Sequence, residues 1–201
     1  IRRNTAIAKR EMETATDPKY RARLSRTLAM EMKMAGKLAE AIPLWEHLYT
    51  FYKAYPEGRQ AAADISKTYQ FLAEKGKEDG GSPEERIETL QKALAWGKKA
   101  GPAYEGLVLF SLDDHQGVIK AAQRSAGMGQ QATHEGYIFE QGAIYITAAG
   151  SALKLGLQKT SAERLINRVP AKLRNDESVV PHVNAVRREI DRITIVVPGT
   201  P

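Results

Sequence analysis

The sequence contains no cysteine. Disulfides, thiolate metal sites and cysteine nucleophiles are therefore excluded, and the redox state of the compartment leaves no mark. No apolar run reaches the ~18–20 residues of a membrane-spanning helix. The longest weakly polar stretch, Gly142 to Leu157, carries Lys154 and is rich in glycine, alanine and serine. No signal-peptide pattern follows the first residue, Ile1. Strand-like alternation is also missing, although Leu107 to Leu112 alone suits either secondary structure.

Catalytic motifs are absent as well. There is no phosphate-cradling loop ending in Lys-Ser/Thr, no dinucleotide fingerprint after a strand, no His-Glu-x-x-His and no serine elbow. Gly127-Met128-Gly129 comes nearest to a glycine loop and reads as a turn. The histidines at 47, 115, 134 and 182 are dispersed. Two of them have acidic neighbours, Asp113-Asp114-His115 and His134-Glu135, and both groups read as exposed loop positions rather than metal ligands. We therefore expect a protein that is not an enzyme and holds neither cofactor nor metal.

What remains is helical. The chain is long enough to bury roughly 70% of its unfolded surface in a core of its own, and alanine is abundant. Leu38, Ala41, Ile42, Trp45, Leu48, Tyr49 and Tyr52 form one apolar stripe at helical spacing. Ile87, Leu90, Leu94 and Gly97 repeat it, as do Val183, Val186, Ile190 and Ile193. Asp17-Pro18 has the form of an N-cap followed by proline at the first helical position. Ser82-Pro83-Glu84-Glu85 reads as a capping box, and Thr160-Ser161-Ala162-Glu163 as another. Breaks are expected near Gly36, Pro56–Gly58, Gly76–Ser82, Gly101-Pro102, Gly127–Gly129 and Asn175–Ser178, with residues 75–82 as a surface loop. They leave about ten antiparallel helices.

The segment Ala22 to Pro56 resembles a tetratricopeptide repeat. Leu28-Ala29, Met32, Gly36, Leu38, Ala41 and Trp45 carry the resemblance, with Pro56 closing the unit. Ser25 stands where the family usually has tryptophan, Met32 where it has tyrosine and Lys53 where it has proline. Weaker copies are Tyr69, Leu72 and Gly76 with residues 87–100, and Gly142, Tyr145 and Ala149 with Ala162, Ile166 and Val169. The resemblance implies an all-α fold in which antiparallel helix pairs stack as a right-handed solenoid. The expected organisation is one domain over 1–195: basic N-terminal helices at 1–37, pairs at 22–56, 60–100, 103–127 and 130–175, and a terminal helix at 178–195. Residues 196–201 read as a linker-like tail, and that tail with Ile1 suggests a piece of a longer protein. Gly36 and Ala41 are expected to let two helices approach closely, with Trp45 filling the space between them.

Charge singles out one face. Residues 1–37 hold ten Lys/Arg and four Asp/Glu, whereas the remainder of the chain balances at twenty of each. At 100° per residue Lys19, Arg23, Arg26, Met30, Lys33 and Lys37 share one side of a helix, opposite Leu24, Leu28, Met32 and Ala35. The row is about 18 residues long, or roughly 27 Å. The resemblance puts Arg23, Arg26, Met30 and Lys33 on the concave groove that family members use for extended peptides. Forty residues on, the equivalents are Ala63, Ser66, Gln70 and Ala73, of which Ser66 and Gln70 complete the expected partner-binding set. Basic side chains facing a groove make charge-assisted hydrogen bonds to carboxylates.

These residues point to a protein-interaction scaffold or adaptor whose groove takes an acidic peptide or partner. The alternatives are nucleic-acid or anionic-surface binding through the basic N-terminal segment, and a structural subunit of a larger assembly. Against nucleic acid, few aromatic residues interleave with those basic ones. Nothing in the sequence fixes a compartment. A soluble cytoplasmic protein is the default expectation, with periplasmic or secreted settings open.

Overall fold

A computed structural model describes residues 10–127 and 135–195, together with Ile7. Among the described residues there is no strand. After a helical turn at residues 10–14 come α1 (Pro18–Met34), α2 (Leu38–Phe51), α3 (Pro56–Glu78), α4 (Pro83–Ala100), α5 (Pro102–Ser111), α6 (His115–Gly127), α7 (Glu135–Lys154), α8 (Lys159–Ile166) and α9 (Val180–Ile195), with a 3₁₀ turn at Ala171–Leu173. No helix among the described residues is long and apolar enough to cross a membrane. The chain forms two compact units, residues 1–100 and 101–201, parting between Ala100 and Gly101.

In the first unit each helix packs on the next, and α1 also touches α3. Helices α5 to α8 of the second unit follow the same scheme, α5 touching α7, and α9 covers α7 and α8. The core of the first unit joins Ala22 and Ala29 of α1 to Ala41, Trp45 and Leu48 of α2 and to Ala61 and Ile65 of α3. Trp45 is fully buried, as its place in the apolar stripe implies. Ser25 is buried too, and its hydroxyl meets the sulfur of Met12 at 3.1 Å. In the second unit Tyr145, Ala149, Ala162, Ile166 and Val169 are all buried. A side chain at Gly142 would run into Leu173.

The first helix of every pair ends the same way. Lys37 N–H bonds to Met32 C=O at 2.9 Å and Gly36 N–H to Lys33 C=O at 3.0 Å. Gly81/Gly80, Asp114/Asp113 and Leu157/Gly156 repeat this double closure after α3, α5 and α7. It is the Schellman motif, which requires a left-handed residue just past the helix. Gly36, Gly80, Asp113 and Gly156 supply it, with φ of 75°, 84°, 59° and 66°.

Several local expectations change. Gly36 does not bring helices together: a β-carbon there would meet nothing within 4 Å, and its role is the left-handed turn. The close approaches are Gly58, where a side chain would hit the carbonyl of Tyr52, and Gly106, where it would hit Ile144. Pro56 opens α3 rather than closing a unit, so Gly58 is helical. Helix α3 also runs to Glu78, shortening the expected 75–82 loop. The Ser82 capping box forms, Ser82 N–H to Glu85 at 2.9 Å and Glu85 N–H to the Ser82 hydroxyl at 3.1 Å. The one at Thr160 does not, because α8 starts at Lys159 after Gln158, whose side chain makes no cap. Ile87 and Ile193 are exposed, leaving Leu90, Ala93 and Gly97 as the buried stripe of α4. Gly129 and His134 lie outside the described residues.

Candidate functional site

Helix α1 begins where the sequence predicts. Asp17 accepts from Lys19 N–H at 3.0 Å, and Pro18 takes the first turn, where no amide donor is needed. From there Ala22, Ser25, Leu28 and Ala29 go inward. Lys19, Arg23, Arg26, Met30 and Lys33 are left on the outer side, Arg26 and Lys33 half-buried and the others exposed. Lys37 does not share that face: α1 ends at Met34, and Lys37 lies beyond the left-handed Gly36 at the start of α2.

The start of α3 lies against that side. Arg23 Nε is 3.5 Å from the carboxylate of Glu57, and Arg26 donates to the amide oxygen of Gln60 at 3.4 Å. Both partners are 34 residues further along the chain, so α1 and α3 run in the same direction in step. The groove beside them has a volume of about 530 Å³ and is lined by Arg23, Arg26, Thr27, Met30, Glu31, Met34 and Glu57. Two arginines face two glutamates, so the lining carries no net formal charge. The basic row is therefore crossed by acidic residues from its own helix and from α3, contrary to what the sequence of α1 alone suggests.

The charges are unequally matched. The Arg23–Glu57 contact is long and Arg23 is mostly exposed, a geometry in which an ion pair is worth little. Lys37 pairs with Glu40 at 3.1 Å, one turn along the surface. Arg26 has only the neutral Gln60 as partner, and Lys19 and Lys33 have no carboxylate partner among the described residues. Met30 and Met34 add an apolar strip, Met34 being 77% exposed. Methionine is flexible and polarisable, and it recurs on adaptable binding surfaces.

Two expected members do not belong here. Ser66 is fully buried and donates to the carbonyl of Ala93 at 2.9 Å, holding α3 to α4. Gln70 is half-buried and does not line the groove. Ala63 and Ala73 are buried as well. The forty-residue offset pointed at the inner side of α3, whereas the contacts follow an offset of 34. A step of 34 residues along the sequence instead of forty leads from Arg23 and Arg26 to Glu57 and Gln60.

His115 is not in an exposed loop: it is 8% exposed, its Nδ1 lies 3.1 Å from the hydroxyl of Ser151, and its Nε2 lies 3.6 Å from Asp113. The array has the residue types of a hydrolase triad, but Ser151 is buried out of reach of a substrate. Asp114 instead caps α6, accepting from Gly117 N–H at 2.8 Å. Among the described residues no cluster of three His, Asp or Glu side chains is arranged to hold a metal.

No protein-family model, curated protein or solved structure matches the chain.

Proposed function

We propose that the protein is a helical-repeat adaptor of the tetratricopeptide-like kind, stacked as a solenoid, whose α1–α3 groove holds a short segment of a partner protein. The observation that carries this reading is Arg26, a guanidinium whose bonded partner among the described residues is a neutral amide, standing beside the exposed Met30 and Met34. A segment that presents a carboxylate to Arg26 and an apolar side chain to the methionines satisfies both features. Lys19 and Lys33 add positive charge beside a groove whose lining is formally neutral and so favour an acidic partner. The paired helices and the 34-residue step between Arg23 and Glu57 support the repeat reading. Such an adaptor works by binding, without chemistry of its own, as stacked repeats usually do.

The test is selection of a random twelve-residue peptide library on the full chain. Enriched peptides are expected to pair an Asp, Glu or C-terminal carboxylate with a large apolar residue. Their affinity is expected to fall at least about tenfold in Arg26→Glu and in Met34→Glu, corresponding to about 1.4 kcal/mol. Peptides that bind both variants as tightly as the parent would refute the assignment of the groove.

A further inference from the structure

The first unit carries a second assembly of charge and ring that no stretch of sequence displays. Tyr49 of α2 and Trp96 of α4 meet edge to face, their centroids 5.3 Å apart and their planes at 90°. Two ammonium groups rest on these rings. Lys99 Nζ lies 3.7 Å from the indole centroid and 5.6 Å from that of Tyr49, and Lys53 Nζ lies 5.1 Å over Tyr49. Both rings are half-buried and both lysines exposed. Neither lysine has a carboxylate partner among the described residues. Glu46 of α2 acts on Tyr69, whose hydroxyl is held above the usual phenol range by burial first and by Glu46 second.

We propose that this corner is a platform for one base of a single-stranded nucleic acid. An exposed ammonium on an aromatic face is held more weakly than a stacked base. An incoming base takes the indole face from Lys99, and the released ammonium pairs with a flanking phosphate. Lys53 does the same for the neighbouring phosphate over Tyr49. Every base has a π-face, so the site is tolerant of sequence. The observation favours nucleic acid over an acidic peptide because the unpaired charges sit on ring faces, which carboxylates do not use. The platform is separate from the groove of α1 and α3 and does not depend on it.

Tryptophan emission tests it directly on the full chain. Of the two tryptophans Trp45 is fully buried, so stacking is read at Trp96 alone. Titration with a fluorescein-labelled oligothymidylate, followed in parallel by anisotropy, is expected to quench Trp96. The binding constant is expected to fall with salt with a log–log slope of about −1.4, the value for two phosphates on a single strand. Lys99→Gln is expected to reduce that slope by about half and leave the fold intact. Trp96→Phe is expected to keep the anisotropy change and lose the quenching, and Trp96→Leu to bind at least about fivefold more weakly. The proposal is overturned by binding without quenching, by no binding, or by equal affinity for duplex DNA, whose bases are not free to stack. Equal quenching by poly-L-glutamate would assign the corner to anionic chains in general and also overturn it.

Discussion

Replacing Gly36 separates two accounts of the turn between α1 and α2. Its φ of 75° lies in the left-handed region, and a β-carbon there would touch nothing within 4 Å. An L-residue in that conformation costs about 1–2 kcal/mol, offset in part by about 0.4–1 kcal/mol because the unfolded chain also loses freedom. Gly36→Ala is therefore expected to destabilise the first unit by about 1 kcal/mol, a fall in melting temperature of about 4–8 °C for a unit of this size. Open surroundings make the cost independent of side-chain size, so Gly36→Leu is expected to match Gly36→Ala. Gly36→Asn is expected to lose less, since asparagine tolerates the left-handed region. Urea and thermal unfolding of the full chain, followed by circular dichroism, measure all three. A leucine variant less stable than the alanine variant by about 2 kcal/mol or more would show that the helices touch at this position, and the backbone argument would fall.

Other perturbations probe the packing. Gly58→Ala, forced against the Tyr52 carbonyl, is expected to cost about 1–3 kcal/mol and more than Gly36→Ala; equal melting temperatures would contradict it. Ser66→Ala removes the buried bond to Ala93 and is expected to cost about 1 kcal/mol in urea unfolding while leaving selected peptides bound as before. Weakened peptide binding by a stably folded Ser66→Ala would return that residue to the groove. Asp113→Gly relieves a left-handed turn made, alone among the described residues, by a residue other than glycine and is expected to raise the stability of the second unit by up to about 1 kcal/mol. A fall in melting temperature would mean that the contacts of Asp113 with Lys154 and His115 outweigh its backbone strain.

Much of the fold was legible because helix signals are local. The Asp17 and Ser82 caps, the buried stripe from Leu38 to Leu48 and the reversals near Gly36 and Gly80 each follow from residues a few positions apart. Spacing along one helix also identified the basic row of α1. It could not identify what faces that row, because the partner of a helix depends on the register between pairs. Matching Gly36 to Gly76 set an offset of 40, whereas the side chains of α1 meet those of α3 at an offset of 34, and the difference traded Glu57 and Gln60 for the buried Ser66. The same limit hid the platform, since Tyr49 and Trp96 lie on different helices and each reads on its own as an ordinary core aromatic. His115 is a further case. Two acidic neighbours made it look like surface, but one of them caps α6 and the other turns the chain, leaving the imidazole to point inward.

The repeated left-handed closure also bears on how the chain acquires its shape. Each reversal is settled by two backbone hydrogen bonds within six residues of one another, before any distant segment is needed. Helices then pack mainly on their immediate successors, and the longer steps described in the first unit, α1 to α3 and Tyr49 of α2 to Trp96 of α4, skip a single helix. Loop-closure entropy is correspondingly small, and domains built from such short-range contacts reach the native state in microseconds to milliseconds. Segments emerging early in synthesis can therefore pair as they appear, so the α1–α3 groove can be in place while the second unit is still being made.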